Sequence, residues 1–234
     1  MEEILRVEKV VKKFGEFVAL NNISLSIYDQ KGVTAIIGPN GAGKTTLINV
    51  ITGRLRPDAG KIFFEGRDIT SLPPHKIVQL GIVRTFQVIN LFSELTVYQN
   101  LNVANLSKPR TLRKDLHEVM ELFDLDKYRD IEVAKLPHGI QRIVQIAVAF
   151  TLSPKLLLLD EPLAGLNIDE KTRIVNVVKD LAKNIPVVLI EHDLHVVFDI
   201  SNRIVVMHRG EVIAEGTPDE VYRNPVVKEI YIGL

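Results

Sequence analysis

Cysteine is absent from this chain, which excludes a disulfide framework and any thiolate metal site. An excess of either charge is also missing. The 29 basic residues are balanced by 29 acidic ones, so a broad nucleic-acid-binding surface, and with it a nucleic-acid partner, is not expected. Long apolar runs are missing too. Leu156 to Leu159 and Val187 to Ile190 are among the longest, far short of the ~20 residues that span a bilayer, so any membrane role has to come through a partner. No charged segment followed by an apolar stretch opens the chain, which predicts a cytoplasmic protein. Repeats, low-complexity tracts and flexible linkers are absent as well. With 46% hydrophobic residues among 234, the chain has material for a sizeable core, and residues 1–234 read as a single domain.

What the chain does contain centres on Gly38-Pro39-Asn40-Gly41-Ala42-Gly43-Lys44-Thr45-Thr46. This stretch fits G-x-x-x-x-G-K-[ST], the phosphate-binding loop (Walker A) pattern. Before it, Val33-Thr34-Ala35-Ile36-Ile37 reads as a buried strand. After it, Thr46-Leu47-Ile48-Asn49-Val50-Ile51 has apolar residues at helical spacing. Strand, glycine loop and helix together suit a triphosphate. Gly41 and Gly43 permit backbone conformations closed to other residues, so several N–H groups can face phosphate oxygens. The helix N-terminus adds partial positive charge. In this pattern Lys44 reaches the β- and γ-phosphates and Thr45 gives its hydroxyl to Mg2+. A plain glycine turn capping a helix would need neither the lysine nor the hydroxyl.

Elsewhere the pattern predicts strands over residues 4–10, 18–27 and 62–64, a helix starting in Ser71-Leu72-Pro73-Pro74-His75, and a strand over 81–86 ending at Gln87. From about 88 to 153 it turns helical, with one helix over 112–122, its apolar face formed by Leu112, Leu116, Val119, Met120 and Phe123, and a more apolar one over 140–152. Residues 155–159 read as a central parallel strand, apolar on both faces. A helix over 170–183, a strand over 186–191, a hairpin of 204–207 and 211–214 about Arg209-Gly210, and a helical cap over 217–234 complete the chain.

Leu156-Leu157-Leu158-Leu159-Asp160-Glu161 delivers two carboxylates at a strand tip. Asp160 stands where phosphate-loop enzymes keep the Walker B acid that supports Mg2+. Glu161, one residue on, is placed to accept a proton from an attacking water. Taken alone, an Asp-Glu pair at a strand end is common. Further features follow in a set order: Gln87 after Arg84-Thr85-Phe86, Leu136-Pro137-His138-Gly139-Ile140-Gln141-Arg142 before an apolar helix, Ala164-Gly165-Leu166-Asn167 after the acids, and His192 after the strand over 187–190. In this order the whole chain resembles the nucleotide-binding subunits of ABC transporters. It is most similar to the ATP-binding subunits of branched-chain amino-acid importers, through Arg84-Thr85-Phe86-Gln87, Leu91-Phe92-Ser93-Glu94-Leu95-Thr96-Val97, and Asn224-Pro225 through Tyr231-Ile232-Gly233-Leu234.

The resemblance implies an α/β phosphate-loop NTPase of the ABC type, with a mainly parallel core sheet, an N-terminal antiparallel layer, and a helical subdomain over about 88–153 inserted in the core. It implies that Phe14 stacks on adenine, that Gln87 touches Mg2+ near the membrane-subunit docking surface (about 87–98), and that His192 lies near the γ-phosphate. By themselves Phe14 reads as a strand-end core residue, Gln87 carries no signal, and His192 reads as a strand-end histidine. The implied activity is transport-coupled hydrolysis of ATP with Mg2+, carried by Lys44, Gln87, Glu161 and His192 and completed only in a dimer. The implied partners are a second ATP-binding subunit, transmembrane permease subunits and a solute-binding protein, with this chain peripheral on the inner face of the membrane. The alternatives are a soluble, non-transport ABC ATPase, which usually has coiled coils or two nucleotide units in one chain, and a partner subunit with little hydrolysis.

One segment departs from the family. Its signature, Leu-Ser-Gly-Gly-Gln, is here Leu136-Pro137-His138-Gly139-Ile140, followed by Gln141-Arg142. In the family this helix start completes the ATP site of the opposite subunit. Pro137 removes a hydroxyl and an N–H, leaving His138, Gly139 and Ile140 to supply the helix-terminus donors. Asn167 stands where the family usually has Asp. Because the altered segment serves the partner's loop while this chain's own loop is intact, a heterodimer is expected over a homodimer.

Overall fold

The computed structural model describes residues 2–109, 111 and 113–232. Strands β1 (Glu3–Phe14), β2 (Phe17–Tyr28), β4 (Ala59–Phe64) and β5 (Arg67–Asp68) form an antiparallel sheet in the order β2-β1-β4-β5. β1 and β2 run longer than their alternation predicts. Register shifts between them, with Lys9 and Asn22 at positive φ (48° and 56°), interrupt the two-residue period without ending the pairing.

The second sheet has the order β10-β9-β3-β8-β7-β6, from β3 (Gly32–Ile37), β6 (Ile82–Arg84), β7 (Leu156–Asp160), β8 (Pro186–Ile190), β9 (Arg203–His208) and β10 (Glu211–Gly216). All neighbours are parallel except β10, which returns antiparallel from β9 through Arg209-Gly210, both at positive φ (47° and 80°). The leucine run of β7 is explained by burial on both faces. Leu157 and Leu159 pack with the helices on one side, and Leu156 and Leu158 pack toward α1 (Lys44–Ile51) and the antiparallel layer on the other. Each buried leucine contributes roughly 1.5–3 kcal/mol.

Between the sheet neighbours β6 and β7 the chain forms α3 (Val97–Leu106), α4 (Leu116–Leu122) and α5 (His138–Thr151). Residues 88–96 are not helical. α3 begins at a capping box, Thr96 accepting from the Gln99 N–H while the Gln99 side chain accepts from the Thr96 N–H. The helix expected from residue 112 starts instead at Leu116, because the Asp115 carboxylate accepts from the His117 N–H at 2.8 Å and caps it there. Leu112, assigned to its apolar face, lies outside the described residues. α2 (Pro74–Leu80) starts at the predicted proline pair, and α6 (Ile168–Ala182) runs close to expectation. α7 (Leu194–Ile200) is not read from the sequence: it is seven residues long, too short to establish a period. The C-terminal cap is two helices, α8 (Pro218–Arg223) and α9 (Pro225–Ile232), broken at Asn224 because Pro225 lacks an N–H. Gly233 and Leu234, included in that cap, lie outside the described residues. No described helix is long and apolar enough to cross a membrane.

Candidate functional site

The C-terminal ends of the adjacent strands β3, β8 and β7 bring three segments together: the glycine loop at 38–43, Glu191-His192, and Asp160-Glu161. Ligands of parallel sheets bind at such ends, outside the strand carboxyl termini. The glycine loop is shaped by close approaches. A Cβ on Gly38 would lie 2.2 Å from the Met207 carbonyl oxygen, and one on Gly43 would lie 2.7 Å from that of Ala19. Gly43 caps α1 at φ 102° without any side-chain bond, and the first helical bond runs from the Leu47 N–H to the Gly43 carbonyl at 2.8 Å. The N–H groups of residues 44–46 precede that bond and are free for an anion.

A cavity of about 200 Å3 opens over this loop, lined by Asn40, Gly41, Ala42, Gly43, Lys44, Thr45 and Thr46 with Glu161 and His192 opposite. Lys44 is buried, and its ammonium donates to the Gly38 carbonyl at 2.6 Å and the Pro39 carbonyl at 3.1 Å. Burial lowers its pKa from the usual lysine range, while the Glu161 and Asp160 carboxylates partly oppose that shift. The aromatic ring on the cavity wall is Phe17, at the start of β2. Phe14, the aromatic expected there, ends β1 half exposed, with the Lys12 ammonium 5.7 Å from its ring centre and Phe17 as its strand partner.

The acids have different partners. Glu161 sits in the left-handed region at φ 48°, an uncommon conformation for a side-chain-bearing residue. Its Oε2 accepts from Gln87 Nε2 at 2.7 Å, and its Oε1 lies 2.5 Å from His192 Nε2. So Gln87, Glu161 and His192 form one polar chain at the cavity's edge, and Gln87 is bonded to Glu161 in this state. Asp160 is buried and paired with Arg84, whose guanidinium reaches its Oδ2 at 2.6 Å. Below them Glu191, also buried, accepts from the Leu163 and His192 N–H groups at 2.8 and 3.1 Å. Burial raises its pKa, and those two bonds oppose the rise. Among the described residues no three His, Cys, Asp or Glu side chains gather to hold a metal. The donors present, the Thr45 hydroxyl and the Asp160 carboxylate, suit Mg2+, which takes few protein oxygens and fills its shell with phosphate and water.

The altered segment heads α5. Pro137 is the N-cap and offers no side-chain bond. Of the donors expected to face a partner's phosphate, the Gly139 N–H is bonded to Glu170 Oε1 at 3.1 Å and the Ile140 N–H to the Pro137 carbonyl at 3.0 Å. The Gln141 side chain turns back to the Leu136 carbonyl at 2.9 Å. Of the three, the His138 N–H has no such bond among the described residues. Asn167 does not stand idle: it forms a capping box with Glu170 at the start of α6. Sequence reasoning did not find the pairings of Arg84 with Asp160, Glu170 with the Gly139 N–H or Glu191 with the Leu163 N–H, whose partners lie 76, 31 and 28 residues apart.

A buried lysine at the glycine loop and a carboxylate–histidine pair at the ends of parallel strands are the arrangement of a phosphate-loop nucleoside triphosphatase. The chain belongs to the ABC transporter family, whose pattern matches residues 20–164, and residues 211–233 match the branched-chain amino acid ATP-binding cassette transporter family. It is an ATP-binding, ATP-hydrolysing subunit of that family. It is 38% identical to the high-affinity branched-chain amino acid transport ATP-binding protein BraF of Pseudomonas aeruginosa, with 98% of each chain covered. It is 36% identical to LivG of Escherichia coli, a protein of the same description, covering 99% of this chain and 98% of the relative. Its fold is similar to the ADP conformation of an ATP-binding cassette of an ABC transporter, with a TM-score of 0.90 and 38% identity over the full length of both chains. It is also similar to a dimeric post-hydrolysis cassette bound to ADP and Pi, with a TM-score of 0.79 and 26% identity over 92% of this chain and 98% of that one.

Proposed function

We propose that this chain drives an importer of branched-chain amino acids or a related small solute, working as one unit over 1–234 with its helical part at about 88–153. The subfamily match at its C-terminal end and its full-length similarity to two such ATP-binding proteins carry this reading. The amino-acid specificity itself would lie in permease and solute-binding subunits, with this chain held on the inner face of the membrane through the permease.

At the site, Lys44 and the N–H groups of the loop bind the triphosphate. A cavity of about 200 Å3 is below the usual ~300–1,000 Å3 of sites that enclose a whole ligand. The base therefore rests outside, against Phe14 or Phe17. Thr45 and Asp160, with Gln87, would hold the Mg2+ that accompanies ATP, and it would neutralise charge on the phosphates. Glu161 then accepts the proton of the water that attacks the γ-phosphorus, as ADP and phosphate separate, and His192 stays near the γ-phosphate. The release of Glu161 from Gln87 and His192 is the step that ATP has to bring about. Glu161→Gln in the assembled transporter should remove most of the hydrolysis, roughly tenfold or more, while ATP still binds. Unchanged hydrolysis would refute the assignment.

The second subunit is a different ATP-binding chain. Pro137 and His138, and the engagement of the Gly139 and Ile140 N–H groups within this chain, support a weakened site on the partner's loop and a competent one on this chain's Lys44 and Glu161. Purification of the membrane complex should yield two different ATPases. A complex containing two copies of this chain alone would refute the heterodimer.

A further inference from the structure

Arg84 is the side chain whose surroundings the reaction leaves unexplained. It ends β6, three residues before Gln87, and is almost fully buried (6% side-chain exposure, as for Asp160). Its guanidinium spans three elements. One terminal nitrogen, Nη2, donates to Asp160 Oδ2 at 2.6 Å, and the other, Nη1, donates to Asn49 Oδ1 on α1, also at 2.6 Å. The Phe86 ring lies 5.0 Å from its carbon, with Arg54 at 4.4 Å from the same ring. Its Nε is buried without a hydrogen-bond partner among the described residues. An unpaired buried N–H is costly, so the side chain is held here by its two terminal bonds and the ring rather than by full satisfaction of its own donors. Phe86 is itself fixed: its carbonyl accepts from Arg142 Nη1 and Gln145 Nε2 of α5, both at 3.1 Å.

We propose that Arg84 is a positioning residue for the metal-side carboxylate: with its guanidinium braced on Asn49 and the Phe86 ring, it holds Oδ2 of Asp160 and sets the carboxylate plane so that Oδ1 faces the metal bound with ATP. The inference rests on the reading of Asp160 as the carboxylate on the metal side. A guanidinium suits this task because its planar fork fixes two acceptors in one plane, which a lysine ammonium does not. It holds an outer position relative to the metal, and such partners change metal affinity by about 10–100-fold when lost. The arrangement also ties Asp160 to α1, the helix that carries Lys44 and Thr45, so the carboxylate and the hydroxyl keep a common frame.

The test uses the full chain and a fluorescent ATP analogue, titrated once with Mg2+ and once in EDTA. Arg84→Lys keeps the charge and loses the fork. It should raise the Mg2+ concentration for half-maximal binding roughly 10–100-fold while leaving the affinity in EDTA unchanged. Asn49→Ala, which leaves the buried ion pair in place, should shift the Mg2+ titration in the same direction, and it carries the test if the lysine variant does not fold. Equal losses with and without Mg2+, or an unshifted Mg2+ titration in both variants, would overturn the proposal. Asp160→Asn separates the two layers. If it too leaves the Mg2+ dependence intact, the reading of Asp160 fails. If it abolishes that dependence while the Arg84 and Asn49 variants do not, only the role of Arg84 fails.

Discussion

Lys44 carries a charge into a buried position, and that burial makes its titration visible in stability. Its lowered folded-state pKa means that the folded chain releases the lysine proton at a lower pH than the unfolded chain, whose lysines titrate near 10.4. Between those two values the unfolded state binds more protons, so this residue's contribution to stability rises with pH. Thermal melts of the parent and of Lys44→Met should therefore converge, or shift in the parent's favour, as pH is raised toward 10. A gap that does not change with pH would contradict the burial. Lys44→Met should also weaken ATP binding by roughly ten- to a hundredfold, the loss of one charge-assisted contact of 1.5–3 kcal/mol, measurable by nucleotide titration. The lysine, its loop and the acids were legible in the sequence because each belongs to a contiguous pattern. Phe17 was not, since only the hairpin register brings it to the cavity wall across from Phe14.

At the scale of elements, α5 is the helix whose start departs from the signature that the resemblance leads one to expect. Pro137 fills the N-cap without accepting a bond from the first turn. Pro137→Ser restores a capping hydroxyl worth about 1 kcal/mol, which corresponds to a rise in Tm of roughly 2–4 °C for a chain of this size. Calorimetry on the isolated chain checks that arm. In the assembled transporter the same change should raise hydrolysis at the partner's site by about tenfold, the value of one regained bond to a charged group. A stabilised helix with unchanged turnover would show that the Glu170–Gly139 bond, rather than the missing hydroxyl, limits the site. The long amphipathic and leucine-rich elements were legible in the sequence by period and length. α7 was not, because seven residues capped by Asp193 carry too few turns, and the start of α4 was set by a cap at Asp115 that an apolar period does not register.

For the whole molecule, the distribution of intact and altered parts has a direction. In the proposed dimer the loop, Glu161 and His192 belong to one site, and Pro137 and His138 serve the other. Replacement of each subunit's catalytic glutamate in turn, with ATPase measured on the complex, should show that Glu161→Gln removes most of the turnover and the partner's replacement little. The reverse result would mean that the altered signature supports hydrolysis better than the intact one. The sequence by itself determined the phosphate loop, the paired acids and the strand-helix order, because these are set by neighbouring residues and by periodic burial. Only the tertiary structure decided that Gln87, Glu161 and His192 join into one chain, that Arg84 holds Asp160, and that Glu170 covers the Gly139 N–H. Those partners lie 74, 31, 76 and 31 residues apart. Their contacts arise from the stacking of β6, β7 and β8 and the packing of α5 on α6, which no local pattern encodes.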